Sequence, residues 1–172
     1  KTLYDEFGIR NFSRYSLKRL LAQYDERHLK GSYILSVWAI EDHNSAFLAD
    51  NPFKGLSADL ALLGKRVRFI ETGTSLELIE QFGTLLGRYG SEQIEVLIAS
   101  AHGSETTMTL SSDLGGIILY IKKVHPQLLQ EMSRMFTNDG TLLLASCSTG
   151  SDAGIAQDIS DVWQSVMVVA PN

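Results

Sequence analysis

Two segments of this chain carry residues capable of covalent chemistry. One, Ile94-Glu95-Val96-Leu97-Ile98-Ala99-Ser100-Ala101-His102-Gly103, runs apolar into a histidine followed by a glycine. The other, Thr141-Leu142-Leu143-Leu144-Ala145-Ser146-Cys147-Ser148-Thr149-Gly150, runs apolar into the chain's single cysteine. A neutral thiol is a weak nucleophile. With an ordinary pKa of about 8.5, only a few per cent is thiolate at neutral pH. An imidazole beside it can accept the thiol proton and later return one to a leaving amine. A glycine next to that base lets a substrate carbonyl come close to the main chain. The N–H groups of Gly103 and Cys147 would then share a developing oxyanion. Small residues follow Cys147 and precede an expected helix, whose amino end would favour a thiolate.

Such a pair works only if the fold brings both strand ends to one place. His102 and Cys147 are 45 residues apart, which leaves room for a helical crossover between two strands of one sheet. The rest of the pattern agrees. Residues 13–29 predict a helix with Leu17, Leu20, Leu21 and Tyr24 on its apolar stripe, stopped by Gly31. Ser32 to Ile40 predicts a buried strand. Ser57 caps a short helix over 58–63 that Gly64 stops, and Val67 to Ile70 predicts the second strand. Thr74 with Glu77 fits a capping box for a helix over 75–88, with Leu78, Phe82, Leu85 and Leu86 as its apolar face and Gly90 closing it. The third strand ends at His102. Thr106 to Leu110 alternates like a small hairpin beside the site, and Ile117 to Ile121 fits either strand or helix. Pro126 opens a helix to about Phe136, Asn138-Asp139-Gly140 turns the chain, and the fourth strand ends at Cys147. A helix over 154–163 and a strand over 166–169 finish the alternation. Strands and helices in this order predict a mainly parallel α/β sheet covered on both faces, with ligands at the carboxyl ends of its strands. One domain spanning 1–172 is expected, with 1–31 as an N-terminal helical extension.

Composition narrows the function classes. The chain is 44% hydrophobic and 20% charged with a net charge of −5, and its longest basic run is Lys122-Lys123, so nucleic acid is not an expected partner. No apolar run approaches the ~20 residues that span a bilayer, so no membrane partner is expected. One cysteine cannot form an intramolecular disulfide or build a structural zinc site alone, which leaves the compartment open. His43, His102 and His125 lack metal-ligand spacing, and no glycine-rich phosphate loop follows the first strand. Neither a metal nor an organic cofactor is expected. The chain begins at Lys1, as a processed or excised piece would.

A strand ending in His102-Gly103, then a strand ending in Ala145-Ser146-Cys147-Ser148-Thr149-Gly150, resembles the caspase-like cysteine peptidase clan. That clan includes caspases, legumain, separase, gingipains, clostripain and the CHAT peptidase domains. The small residues around Cys147 look closest to the CHAT form and depart from the caspase Gln-Ala-Cys-x-Gly signature. The resemblance covers roughly 32–171. It implies a caspase-like three-layer αβα sandwich and a cysteine endopeptidase acting on a peptide or protein through an acyl-enzyme. Cys147 would be the nucleophile, His102 the base and Gly103 part of the oxyanion hole. Asp42 and His43 follow the first strand. Asp42 would line a pocket for a basic side chain, as in the arginine- and lysine-specific relatives, or belong to a solvated loop. Ser146 and Ser148 would orient substrate or serve only the loop, with Glu105 and Asp113 near the site. Asp152 and Asp158 are expected at the start and face of a helix, toward solvent. Clan members build part of the specificity pocket from elements after the fifth strand. On this likeness, a further segment or a partner chain would complete it beyond Asn172. Two other functions use the same residues: an inactive interaction scaffold of this fold, and a thiol-dependent acyl transferase or deamidase.

Overall fold

The apolar, β-branched runs become strands. In chain order they are β1 (Tyr33–Ala39), β2 (Val67–Thr72), β3 (Ile94–Ser100), β4 (His102–Gly103), β5 (Met108–Thr109), β6 (Phe136–Ala145) and β7 (Met167–Val169). The helices are α1 (Leu17–Asp25), α2 (Ser75–Tyr89), α3 (Pro126–Ser133) and α4 (Ile155–Val162). This computed structural model describes residues 7–10, 17–40, 59–60, 62–109, 126–147, 149–150, 152 and 154–171. Five strands form one parallel sheet in the order β2-β1-β3-β6-β7, and β4 and β5 form a separate antiparallel hairpin. Every residue of β1 and β2 is buried, as expected for strands covered on both faces. With its helices, the sheet makes a three-layer α/β sandwich.

The register shows why the sequence folds this way. Leu35 stands beside Arg68 on one side and Leu97 on the other, and Leu97 beside Leu142. Side chains along such a row share one face. Leu78 and Phe82 of α2 and Leu129 and Met132 of α3 meet Val37 and Leu97 on that face. Thr74 caps α2 by accepting the Glu77 N–H at 3.1 Å, and the Glu77 carboxylate accepts the Gly73 N–H at 2.7 Å. Leu78, Phe82 and Leu85 are buried as the periodicity requires, and Tyr89 joins them. Trp163 packs into the same cluster. Its Nε1 donates to the Leu129 carbonyl at 2.7 Å, and its ring lies 5.3 Å from that of Phe136.

Four local expectations change. In α1 the buried residues are Leu20 and Gln23, while Leu17 and Leu21 are exposed. Among the described strands β2 is at the edge of the sheet, and α1 lies along it. Gln23 Nε2 donates to the Phe69 carbonyl at 2.9 Å, and Gln23 Oε1 accepts the Phe69 N–H at 2.6 Å, so the amide stands in for a missing strand. α3 stops at Ser133, short of Phe136, which already pairs with Ile94. The expected turn at Asn138-Asp139-Gly140 lies inside β6 as a bulge, because pairing jumps from Ile94–Phe136 to Val96–Thr141. Finally, β3 ends at Ser100, and His102 belongs to the hairpin. The Ile117 to Ile121 segment lies outside the described residues.

The N-terminal region is part of the core through Phe7, Ile9 and Leu20. Its Arg10 N–H donates to the buried Glu71 carboxylate at 2.5 Å, and the Arg10 guanidinium pairs with Glu77 at 2.6 Å. At the amino end of the sheet, fully buried Arg68 lies 4.1 Å from the Tyr89 ring and 5.0 Å from that of Tyr33. Burial lowers the Arg68 pKa and pushes the Tyr33 phenol up.

Candidate active site

β3 and β6 end level with each other. Their last paired residues are Ser100 and Ala145, and His102 and Cys147 lie two positions further along each chain. Both follow carboxyl ends of parallel strands, so the sheet places them on one rim. Adjacent strands run about 4.8 Å apart. Ala101 and Ser146 are 0% and 6% exposed, while His102 is half-buried and Cys147 exposed.

Gly103 holds the two segments in contact. A Cβ built on it would stand 2.8 Å from Ser146 Cβ, 2.9 Å from Ser146 Oγ and 3.0 Å from the Cys147 carbonyl oxygen. No residue with a side chain fits that gap without moving the cysteine segment. The hairpin also sets where the Gly103 N–H points. The Ser104 N–H donates to the Thr107 carbonyl at 2.8 Å, so 104 and 107 form a hydrogen-bonded pair. Antiparallel pairs alternate, which makes His102–Thr109 the next hydrogen-bonded pair and Gly103–Met108 a non-hydrogen-bonded one. The Gly103 N–H is therefore directed away from β5. The Ser104 and Thr107 hydroxyls, 2.9 Å apart, close the turn. Met108 is buried and anchors the hairpin to the core.

After Cys147 the chain folds back on itself. The Thr149 hydroxyl is buried, donates to the Ser146 carbonyl at 3.2 Å and accepts from Ser146 Oγ at 3.3 Å. The Gly150 N–H donates to the Pro171 carbonyl at 2.7 Å, tying this loop to the segment after β7. At the amino end of α4, two N–H groups bind carbonyls of the surrounding loops. Its Ile155 N–H donates to the Glu105 carbonyl at 2.8 Å, and its Ala156 N–H donates to the Thr149 carbonyl at 3.2 Å. Those donors are taken.

The site residues expected from the sequence divide accordingly. His102, Gly103, Ser146 and Cys147 come together. Ser146 is buried under the loop with its hydroxyl toward Thr149, rather than presented beside the thiol. Glu105 takes part through its main chain. Asp152 is exposed, and Asp158 sits in the first turn of α4. Asp42, His43, Asp113, His125 and Ser148 lie outside the described residues. Among the described residues, no group of three His, Cys, Asp or Glu side chains could hold a metal, and no helix is long and apolar enough to cross a membrane. Thr149 carries no role in the sequence pattern beyond being one of the small residues after Cys147. Its spacing from Ser146 is the available signal, since hydroxyl residues readily bond backbone groups a turn away.

The chain has no significant match among protein-family models, curated proteins or solved structures.

Proposed function

We propose that the chain is a cysteine endopeptidase working through Cys147 and His102, of the caspase-like type its motifs resemble. The observation that carries this reading is the contact of Gly103 with Ser146 and Cys147, which joins the histidine and cysteine segments at one rim. In the first step the thiol proton passes to the imidazole and sulfur attacks the peptide carbonyl carbon. The N–H groups of Gly103 and Cys147 receive the resulting oxyanion. The C–N bond then breaks, the imidazolium gives its proton to the departing amine, and a thioester remains. Water attacks the thioester, giving a proton to the imidazole. The C–S bond breaks, releasing the acid, and the sulfur recovers the proton. Asp42 is the proposed carboxylate for a basic substrate side chain, and a further segment or partner chain completes the pocket. No metal or organic cofactor takes part.

A second reading, an inactive interaction scaffold, is favoured by one observation: the α4 N–H groups that would polarise a thiolate are occupied by Glu105 and Thr149. A panel of peptidyl electrophiles differing in the residue before the reactive carbonyl separates the two. Intact mass should show one adduct on the wild-type chain, selective for one side-chain class. Cys147→Ala should take none, and His102→Ala should react at least about 100-fold more slowly. Equal labelling of wild type and Cys147→Ala, or labelling indifferent to the peptide, would favour the scaffold.

A further inference from the structure

We infer that Thr149 is a positioning residue for the Cys147 thiol, an assignment that rests on the peptidase reading above. The sheet ladder between the two segments stops at Ser100 and Ala145, so it does not itself fix the separation of the groups beyond it. Besides the Gly103 contact, the first turn of α4 does. Its two successive N–H groups each hold one carbonyl. Ile155 takes Glu105, from the turn of the hairpin that carries His102, and Ala156 takes Thr149, from the loop that carries Cys147. The helix is a fixed spacer, because Ile155 and Ile159 are both 0% exposed. The hairpin reaches that spacer through its tight turn. Among the described residues, the thiol loop bonds to that turn through the Thr149 carbonyl, and the Thr149 hydroxyl bonds both the carbonyl and the hydroxyl of Ser146. Thr149 is 0% exposed, so water does not replace those bonds when the hydroxyl is removed. The Thr149 hydroxyl acts through Ser146 and not on the substrate. It sets where Ser146 and Cys147 stand relative to the imidazole.

Cys147 is the only cysteine, so iodoacetamide reports on it alone. The sulfur displaces iodide, a C–S bond forms, and the thiol proton leaves to the base. A free thiol is almost wholly protonated near pH 6 and mostly ionised near pH 9. The ratio of the two alkylation rates therefore cancels changes in access and isolates help from the imidazole. His102→Ala should lower that ratio by about tenfold or more, and Thr149→Val should lower it by a similar factor. Thr149→Ser, which keeps the hydroxyl, should restore the wild-type ratio. Should Thr149→Val fail to fold, Ser146→Ala removes one of the two hydroxyl bonds and should lower the ratio by about threefold. A wild-type ratio in the folded Thr149→Val chain (or, in its place, in Ser146→Ala), with His102→Ala lowered, would overturn the role of Thr149 and leave the peptidase reading standing. A wild-type ratio in His102→Ala would overturn both.

Discussion

Gly103 has no room for a side chain, and that makes it the sharpest residue-scale test. In Gly103→Ala the new methyl meets Ser146 and Cys147 at 2.8 to 3.0 Å, so the cysteine segment must shift. Overpacking of this kind costs about 1–3 kcal/mol. Denaturant unfolding should show that loss, and labelling of Cys147 by a peptidyl electrophile should fall with it. An unchanged midpoint and unchanged labelling would mean that the close contact is absent in solution. His102, Gly103 and Cys147 could be placed on one rim from the sequence because each terminates an apolar run, and a run's end is visible in one dimension. The jobs of Ser146 and Thr149 could not. Their hydroxyls bond to groups that become neighbours only after the loop has closed, and residue type alone leaves several such partners open.

At the scale of elements, α2 shows how far local rules reach. Its cap, its apolar face and its glycine stop all follow from the residue pattern. Thr74→Ala should lose about 1 kcal/mol, read as a shift in the unfolding midpoint with an unchanged slope. The Glu77 carboxyl is raised by burial, but hydrogen bonds from the Gly73 N–H and Arg10 outweigh that and hold it below the usual carboxylate range. Lys65 first, and then Ser32, hold the Glu95 carboxyl low as well. A lowered folded-state pKa adds stability above the unfolded value, and that stability is lost as pH falls through the folded one. Thermal stability should therefore drop as the pH is taken below about 4, and Glu77→Gln should make the drop shallower. A slope unchanged by Glu77→Gln would count against the Gly73 and Arg10 contacts. α1 marks where pattern reading stops. Its leucine stripe is borne out at Leu20 and Tyr24 but not at Leu17 and Leu21, because the buried face turns toward Gln23, whose amide pairs with Phe69 at the edge of the described sheet. The early end of α3 has a similar cause: Phe136 is claimed by pairing with Ile94, a partner distant in the chain.

For the whole molecule, the alternation of strands and helices was enough to foresee a parallel sheet with covered faces. The bulge in β6 was not foreseeable, since a strand that absorbs extra residues looks the same in sequence as a turn before a strand. The order β2-β1-β3-β6-β7 gives the site its place. β3 and β6 are neighbours, so the segments leaving their carboxyl ends are neighbours too. Everything proposed for the chemistry depends on that juxtaposition of His102 and Cys147, and it can be measured without a substrate. The strands that lead to them lie about 4.8 Å apart where they last pair, at Ser100 and Ala145, and Gly103 still lies against Ser146 and Cys147, so the shared rim predicts that residues 102 and 147 come within the Cα separation of about 4.4–6.8 Å that a disulfide bridges. A His102→Cys variant should therefore form an intramolecular disulfide with Cys147 under mild oxidation. Peptide mapping by mass spectrometry should find residues 102 and 147 joined within one chain, with the loss of two hydrogens. Two free thiols, or bridges only between chains, would contradict the shared rim and the peptidase reading built on it.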